Sequence, residues 1–234
     1  MSTTPSKPRV ALIGTGGTIS SIALDSLDVL DYPDVSRKMK PAEIVERTPE
    51  LARFAELVPI NFREVGSTAI GPADWLELLK LIHATEAGSG GFDGYVILHG
   101  TSTLEETAYF LSRVLTGHQP VVLTCAMRPA SALSPDGPQN LLDALTVSRQ
   151  AQAGVFVVCG GCVHSAAYVQ KVHPYRLDAF SSGDAGPVGF VEEGRVRWTA
   201  DSWGPKIQRP VVELTAETRL FFTSSVARLH SCGP

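Results

Sequence analysis

The stretch Val96–Leu111, VILHGTSTLEETAYFL, decides how the rest of the chain is read. An apolar run, Tyr95 to Leu98, stops at His99-Gly100, and a helical pattern with Leu104, Thr107, Ala108 and Leu111 on one face starts directly after it. Strand, tight turn, helix is the reading. Gly100 permits the bend. Ser102 or Thr103 can cap the helix, with Glu105 or Glu106 near its third position. A turn of this kind lifts Thr101 and Ser102 onto the carboxyl edge of a parallel sheet, where open α/β folds place ligands. The hydroxyls could equally serve only as caps.

Outward from this stretch, strands and helices alternate. Val10 to Ile13 is a short strand ending in Gly14-Thr-Gly-Gly-Thr18-Ile-Ser20, a glycine-rich turn that leaves Thr15 and Thr18 exposed. It lacks the third glycine of a dinucleotide fingerprint and the Gly-Lys-Ser/Thr of a phosphate loop, so nucleotide binding is the weakest reading. Ser20 to Lys40 reads as a long loop of the kind that can serve as a lid. Helices are predicted over Pro41–Phe54, interrupted at Pro49, over Pro72–His83 and over Gln139–Gln152, and strands over Leu57–Val65, Pro120–Thr124 and Val155–Val158. This βαβ spacing predicts a doubly wound, mainly parallel sheet with helices on both faces. Beyond Gly161, the segments Val163–Val172, Gly186–Val191 and Arg195–Thr199 read as strands of a peripheral hairpin region, and Val211–Leu214 as a last strand.

The chain has 234 residues, 44% hydrophobic and 19% charged, with a net charge of −4. That suffices for one large core and lacks the basic excess that nucleic acid requires. No apolar segment reaches the ~18 residues of a membrane span, and a cytoplasmic location is expected. Cys159-Gly-Gly-Cys162 has the spacing of a redox or zinc half-site, but it has no second CxxC or HxxxH beside it and follows a strand rather than opening a helix. It reads as two small residues at a strand end, and no metal site is expected. Asp25, Asp28, Asp31 and Asp34 recur at spacing three, which reads as a solvated loop rather than a calcium site. His99 reads as a turn histidine, and nothing in the sequence places His164 or His173 in a site.

Three turns offer hydroxyls: Thr15 and Thr18, Ser67 and Thr68, Thr101 and Ser102. Lys171 is the one cationic candidate beside a strand. A threonine hydroxyl needs a base to become a nucleophile, and a lysine deprived of solvent can supply one. Backbone N–H groups in glycine-rich turns could then hold an oxyanion.

Four ordered blocks resemble the bacterial-type L-asparaginase/glutaminase family of amidohydrolases: Thr15-Gly-Gly-Thr18-Ile19; His99-Gly-Thr-Ser-Thr-Leu-Glu-Glu-Thr-Ala108; Ala126-Met-Arg-Pro129 with Asp136-Gly-Pro-Gln-Asn-Leu141; and Lys171 followed by Ala179-Phe-Ser-Ser182 and Gly186-Pro-Val-Gly189. The resemblance spans roughly residues 8–200. It implies hydrolysis of a small carboxamide through a threonine acyl-enzyme, with no cofactor. Thr18 would be the nucleophile, Tyr32 its helper, and Thr101 with Lys171 the proton-handling pair. Ser67 and the Ala126 backbone would contact substrate, with Gly17, Gly66, Gly100 and Ser102 around it. A homo-oligomer, dimer or tetramer, is also implied.

Two departures stand out. The family has aspartate where this chain has Ser102. A serine cannot neutralise a substrate's ammonium, so weak activity on L-asparagine and an altered amide preference are expected. The family also continues for about another hundred residues as a smaller domain. Residues 1–205 match the larger domain, and residues 206–234 read as a linker and a truncated or divergent remnant that begins near Arg209-Pro-Val-Val-Glu-Leu214.

Overall fold

The computed structural model describes residues 7–32, 37–86 and 90–199; the expected strand at 211–214, Asp34, Cys232 and the boundary at 205/206 lie outside them. In chain order the strands are β1 (Arg9–Gly16), β2 (Ser21–Ile22), β3 (Arg37–Lys38), β4 (Glu56–Val65), β5 (Gly94–Leu98), β6 (Pro120–Thr124), β7 (Gly154–Cys159), β8 (Cys162–Ser165), β9 (Gln170–Lys171), β10 (Phe180–Ser181), β11 (Gly189–Glu192) and β12 (Arg195–Trp198). Among the described residues, eight of them form one mixed sheet in the order β4-β1-β5-β6-β7-β8-β11-β12. β4, β1, β5, β6 and β7 are parallel neighbours; β8, β11 and β12 continue the sheet antiparallel. Two small ladders lie apart, β2 with β3 and β9 with β10.

Period-two alternation assigns each side chain to a face. On one face Val10 and Leu12 join Ile44 of α1 (Pro41–Arg47). On the opposite face Ala11 and Ile13 join Trp75, Leu78 and Ile82 of α2 (Pro72–Glu86) and Leu104, Ala108 and Leu111 of α3 (Leu104–Val114). Leu141, Ala144 and Leu145 of α4 (Gly137–Gln150) return to the α1 face. The sheet is therefore doubly wound, with two of the described helices on each face. The central strands β5 and β6 are buried at every residue, which is why they read as unbroken apolar runs.

Strand order places the site. From β1 the chain passes through α1 to β4 on one side, then through α2 to β5 on the other side of β1. The connections after β1 and β5 thus leave on opposite faces. The crevice between their carboxyl ends is the switch point where open sheets bind ligands.

Several boundaries differ from those expected. The helix over Pro41–Phe54 stops at Arg47 and resumes as a 3₁₀ turn, Pro49–Arg53. Thr48, ahead of the proline, is held at φ −130°, ψ 58°. Ser20–Lys40 is not loop throughout, since it contains β2 and β3. The expected strand Val163–Val172 is broken at Ser165, whose carbonyl accepts Tyr168 N–H and Val169 N–H, so that β8 and β9 are separate. The peripheral hairpin, β11 and β12 joined at Glu193-Gly194, is an extension of the main sheet through β8.

Candidate active site

Three backbone turns nest at the switch point without side chains between them. A Cβ on Gly17 would stand 2.4 Å from Gly100 Cα, and one on Gly100 would stand 2.4 Å from Ser67 Cα. Gly17 has φ +74°, a conformation glycine adopts without strain, and its N–H donates to Val65 O at 2.9 Å. The turns after β1, β4 and β5 are thereby locked together, and each carries a hydroxyl residue within one position of the contact: Thr18, Ser67 and Thr101.

Two hydroxyl pairs flank this contact. Thr18 Oγ1 lies 2.7 Å from Tyr32 Oη. Burial raises the Tyr32 pKa, partly offset by its bond to Thr18, and Asp136 and Asp28 raise it further, so the phenol keeps its proton. Tyr32 is placed by Asp28, whose Oδ1 accepts the backbone N–H groups of Leu30, Asp31 and Tyr32. Asp25 likewise accepts Leu27 N–H. Both carboxylates shape turns, in keeping with the solvated-loop reading.

On the other side, Lys171 Nζ donates to Thr101 Oγ1 at 2.7 Å. Burial lowers the Lys171 pKa; Cys125 and Glu105 pull it partly back up. Lys171 is held from two directions: β9 pairs it with Phe180, and its backbone N–H donates to the Glu105 carboxylate on α3. Among the described residues no carboxylate forms an ion pair with the amine. In the neighbouring residues of the two turns, Ser102 Oγ and Ser67 Oγ meet at 2.9 Å.

The Thr101 turn rests on a buried relay. His99 Nδ1 lies 2.8 Å from Gly100 O, a pure acceptor, so this nitrogen carries the hydrogen. Nε2 must then accept, and Thr107 Oγ1 stands 2.9 Å away, itself receiving the Trp75 indole N–H at 2.8 Å. This tautomer is assigned from its partners. Burial pushes the His99 pKa down to about 4, which keeps the ring neutral. Thr15 is buried as well, and its hydroxyl donates to Leu98 O at 3.0 Å. The exposed Thr15 and Thr18 expected from the glycine-rich turn are thus both inside, since the flanking strands close over them.

The expected helix caps are not made. Thr103 occupies the N-cap position of α3, yet its hydroxyl donates to Ser67 O at 2.9 Å, and Ser102 bonds Ser67 rather than the helix. Both residues tie the β5 turn to the β4 turn instead. Ala126 is fully buried between two anchored neighbours. Cys125 O accepts Asn140 Nδ2 at 3.0 Å, and Met127 N–H donates to the Asp136 carboxylate at 2.9 Å. Gly137 packs against both Ile19 and Ala126, which brings the Ala126 segment beside the Thr18 turn. Gly66 is open, with nothing within 4 Å of the point where a Cβ would stand. Of the histidines, His164 is buried and bonded to Ser182 Oγ at 2.9 Å, and His173 caps its own turn by accepting Tyr175 and Arg176 N–H. Neither joins the cluster.

A doubly wound sheet whose switch point carries two hydroxyl contacts, one of them to a half-buried amine, defines an α/β protein with its hydroxyls gathered at the edge where such folds bind ligands. Comparison narrows the class. The chain belongs to the asparaginase family: the family described as "Asparaginase, N-terminal" matches residues 9–203. It is 41% identical over 196 residues to "Probable L-asparaginase" of Deinococcus radiodurans, covering 80% of this chain and 54% of that protein. It is 35% identical over 189 residues to "L-asparaginase 2" of Bacillus subtilis, covering 80% and 50%. A crystal structure described as "Probable Cytoplasmic L-asparaginase from Campylobacter jejuni" superposes with a TM-score of 0.76 at 33% identity, covering 84% of this chain and 60% of that one. The chain spans about half the length of the curated relatives it matches.

Proposed function

We propose that this chain carries the catalytic half of an amidohydrolase that releases ammonia from a small carboxamide through a threonine acyl-enzyme. The observation that carries the reading is the 2.7 Å contact from Lys171 Nζ to Thr101 Oγ1, set against a second 2.7 Å contact between Thr18 and Tyr32 at the same switch point. A hydroxyl is a weak nucleophile without a base in hydrogen-bond reach; Lys171 stands in that relation to Thr101, whereas Tyr32, which keeps its proton, orients Thr18 without deprotonating it. Thr18 attacks the amide carbon; Tyr32 positions its hydroxyl. Thr101 passes protons between Lys171 and the departing ammonia. Ser67, Ser102 and the backbone about Gly17, Gly66, Gly100 and Ala126 hold the substrate. The family resemblance supports this division of labour.

The substrate follows from charge. Ser67 and Ser102 offer hydroxyls and no carboxylate, so they bind a carboxylate or neutral polar group well and a desolvated ammonium poorly. A carboxamide without an α-ammonium is the better fit, and L-asparagine is turned over weakly. The test is a coupled ammonia assay on a panel of amides, including L-asparagine and its desamino analogue succinamate, with native protein and Ser102→Asp. Preference for succinamate, with a gain on L-asparagine in Ser102→Asp, supports the reading. Efficient turnover of L-asparagine by native protein refutes it.

The Lys171–Thr101 contact also favours a second reading, in which Thr101 is the nucleophile and Lys171 its direct base. Mass spectrometry of acid-quenched enzyme decides: an acyl group on Thr18 supports the first reading, one on Thr101 the second.

A further inference from the structure

Three of the four cysteines of the chain stand in a row across adjacent strands, as free thiols. Cys159 closes β7 and Cys162 opens β8, and they are direct cross-strand partners. Between them Gly160 and Gly161 have φ of +57° and +74°, the left-handed pair that a two-residue hairpin turn requires. Opposed residues in an antiparallel ladder project on the same face with Cα atoms about 4.5–5.5 Å apart. A disulfide spans about 4.4–6.8 Å. The register therefore puts the two Cα atoms within the range that a disulfide spans.

The surroundings distinguish the two sulfurs. Cys159 is 6% exposed and sits beside Cys125, which follows β6 and is 1% exposed; Cys162 is only partly buried. Cys125 and Cys159 lie side by side: the neighbouring sulfur and burial raise the Cys125 pKa well above the usual range, whereas Cys125 lowers that of Cys159 against the effect of burial, and His164 on the same face lowers it further. Cys159 is thus the sulfur that ionises, and Cys162 the one nearer solvent. The turn is pinned as well: Asn140 Oδ1 accepts Gly160 N–H at 3.0 Å while its amide holds Cys125 O at 3.0 Å. The amide of one side chain fixes both thiol-bearing segments. Cys159 and Cys162 themselves have no part in the amide hydrolysis proposed above.

We infer that Cys159 and Cys162 form a peroxide-responsive thiol pair that closes to a disulfide across the β7–β8 turn. The Cys159 thiolate attacks the peroxide O–O bond and becomes a sulfenic acid, while the second oxygen leaves and takes a proton as water or alcohol. The Cys162 sulfur then attacks the Cys159 sulfur. The S–S bond forms, the S–OH bond breaks, and hydroxide leaves with the Cys162 proton as water. Two thiols lose two electrons and the peroxide gains them. A low-pKa thiol next to a resolving thiol is the arrangement this chemistry needs.

The experiment uses the full chain carrying Cys232→Ser, treated with an equivalent of hydrogen peroxide, alkylated with iodoacetamide and digested with trypsin. Residues 150–171 lie on one tryptic peptide. We expect that peptide to lose about 2 Da, corresponding to two hydrogens, and to resist alkylation at both positions until dithiothreitol restores it. In Cys162→Ser, Cys159 should instead accumulate as a dimedone-trapped sulfenic acid. Full alkylation of both cysteines after peroxide, a link from Cys159 to Cys125, or no dimedone adduct in Cys162→Ser would each overturn the inference.

Discussion

The two threonine turns of the candidate site are built by different means. The Thr101 turn is supported from beneath: His99, Thr107 and Trp75 form a buried relay under it, Thr15 ties the end of β5, and Lys171 is clamped between β10 and the Glu105 carboxylate. The Thr18 turn is shaped by glycine backbone, and its partner Tyr32 arrives on a surface loop. That loop buries little, for Leu24, Leu27 and Leu30 are 85%, 74% and 71% exposed, and one carboxylate, Asp28, collects the backbone N–H groups that place Tyr32. Few apolar contacts and solvent-facing hydrogen bonds mean a low cost of local opening. One half of the site is therefore preformed, and the other depends on a loop with little buried apolar surface of its own.

The sharpest way to break this comparison is to delete one hydroxyl at a time. Thr18→Ala should lower ammonia release by about 10³-fold or more, about 4 kcal/mol of transition-state stabilisation, with no change in melting temperature. Lys171→Met should fall by a similar factor, because Thr101 loses the base 2.7 Å away. Steady-state assays of the purified variants check both. Activity within tenfold of native in Thr18→Ala would remove that residue as nucleophile and leave Thr101 as the candidate.

Next in size is the contact that joins the halves. Gly17→Ala places a Cβ against Gly100 Cα, where no side chain can yield, and does so at positive φ. We expect a loss of about 1–3 kcal/mol of stability, read as a melting temperature lower by about 5 °C, and about 10²-fold in turnover. Gly66→Ala, with open space around it, should leave the melting temperature unchanged. Equal effects at the two glycines would show that the turns are not locked as described.

A smaller effect tests the loop. Tyr32→Phe removes one hydrogen bond to Thr18 and leaves the ring to pack, so turnover should drop by about tenfold, the worth of about 1.4 kcal/mol. A loss as deep as that of Lys171→Met would mean that Tyr32 moves protons itself, and that the loop half takes as full a part in the chemistry as the buried half.

Much of this is legible in the sequence because the signals are local. The apolar runs at Val96–Leu98 and Val121–Leu123 and the helical stripes of Trp75–Ile82 and Leu104–Leu111 state their own periods, and the doubly wound sheet follows from their alternation. Thr18, Thr101 and Lys171 stand out from turns and motif blocks, and the fold brings the turns together. What sequence does not yield are contacts whose partners lie far apart. Glu105 holds Lys171 from 66 positions away, and an acid near the third position of a helix reads as part of its cap. Thr103 reads as a helix cap, but a hydroxyl can bond any acceptor in reach, and the β4 turn supplies Ser67 O. The broken strand at Ser165 escapes because a serine carbonyl that accepts two N–H groups leaves no trace in the pattern of apolar residues. The thiol pair reads as a mere strand end because a redox CxxC belongs at a helix start, whereas a two-glycine hairpin brings the same spacing face to face.

The least disruptive test addresses how the preformed half is tuned. Glu105 accepts the Lys171 N–H through one oxygen, and its charge raises the Lys171 pKa against the larger lowering by burial. Glu105→Gln keeps an acceptor oxygen and removes the charge, so the amine should lose its proton more readily than in native protein. If Lys171 works as a neutral base, activity falls at acid pH as the amine is protonated, and a lower amine pKa moves that limb of the kcat/KM profile to lower pH. The plateau rate should change by only a few-fold, since Thr101 and the Lys171 side chain stay in place. An acid limb that stays put while an alkaline limb moves to lower pH would show that the ammonium, not the free amine, is the working form, and Lys171 would then act by stabilising negative charge rather than by taking a proton.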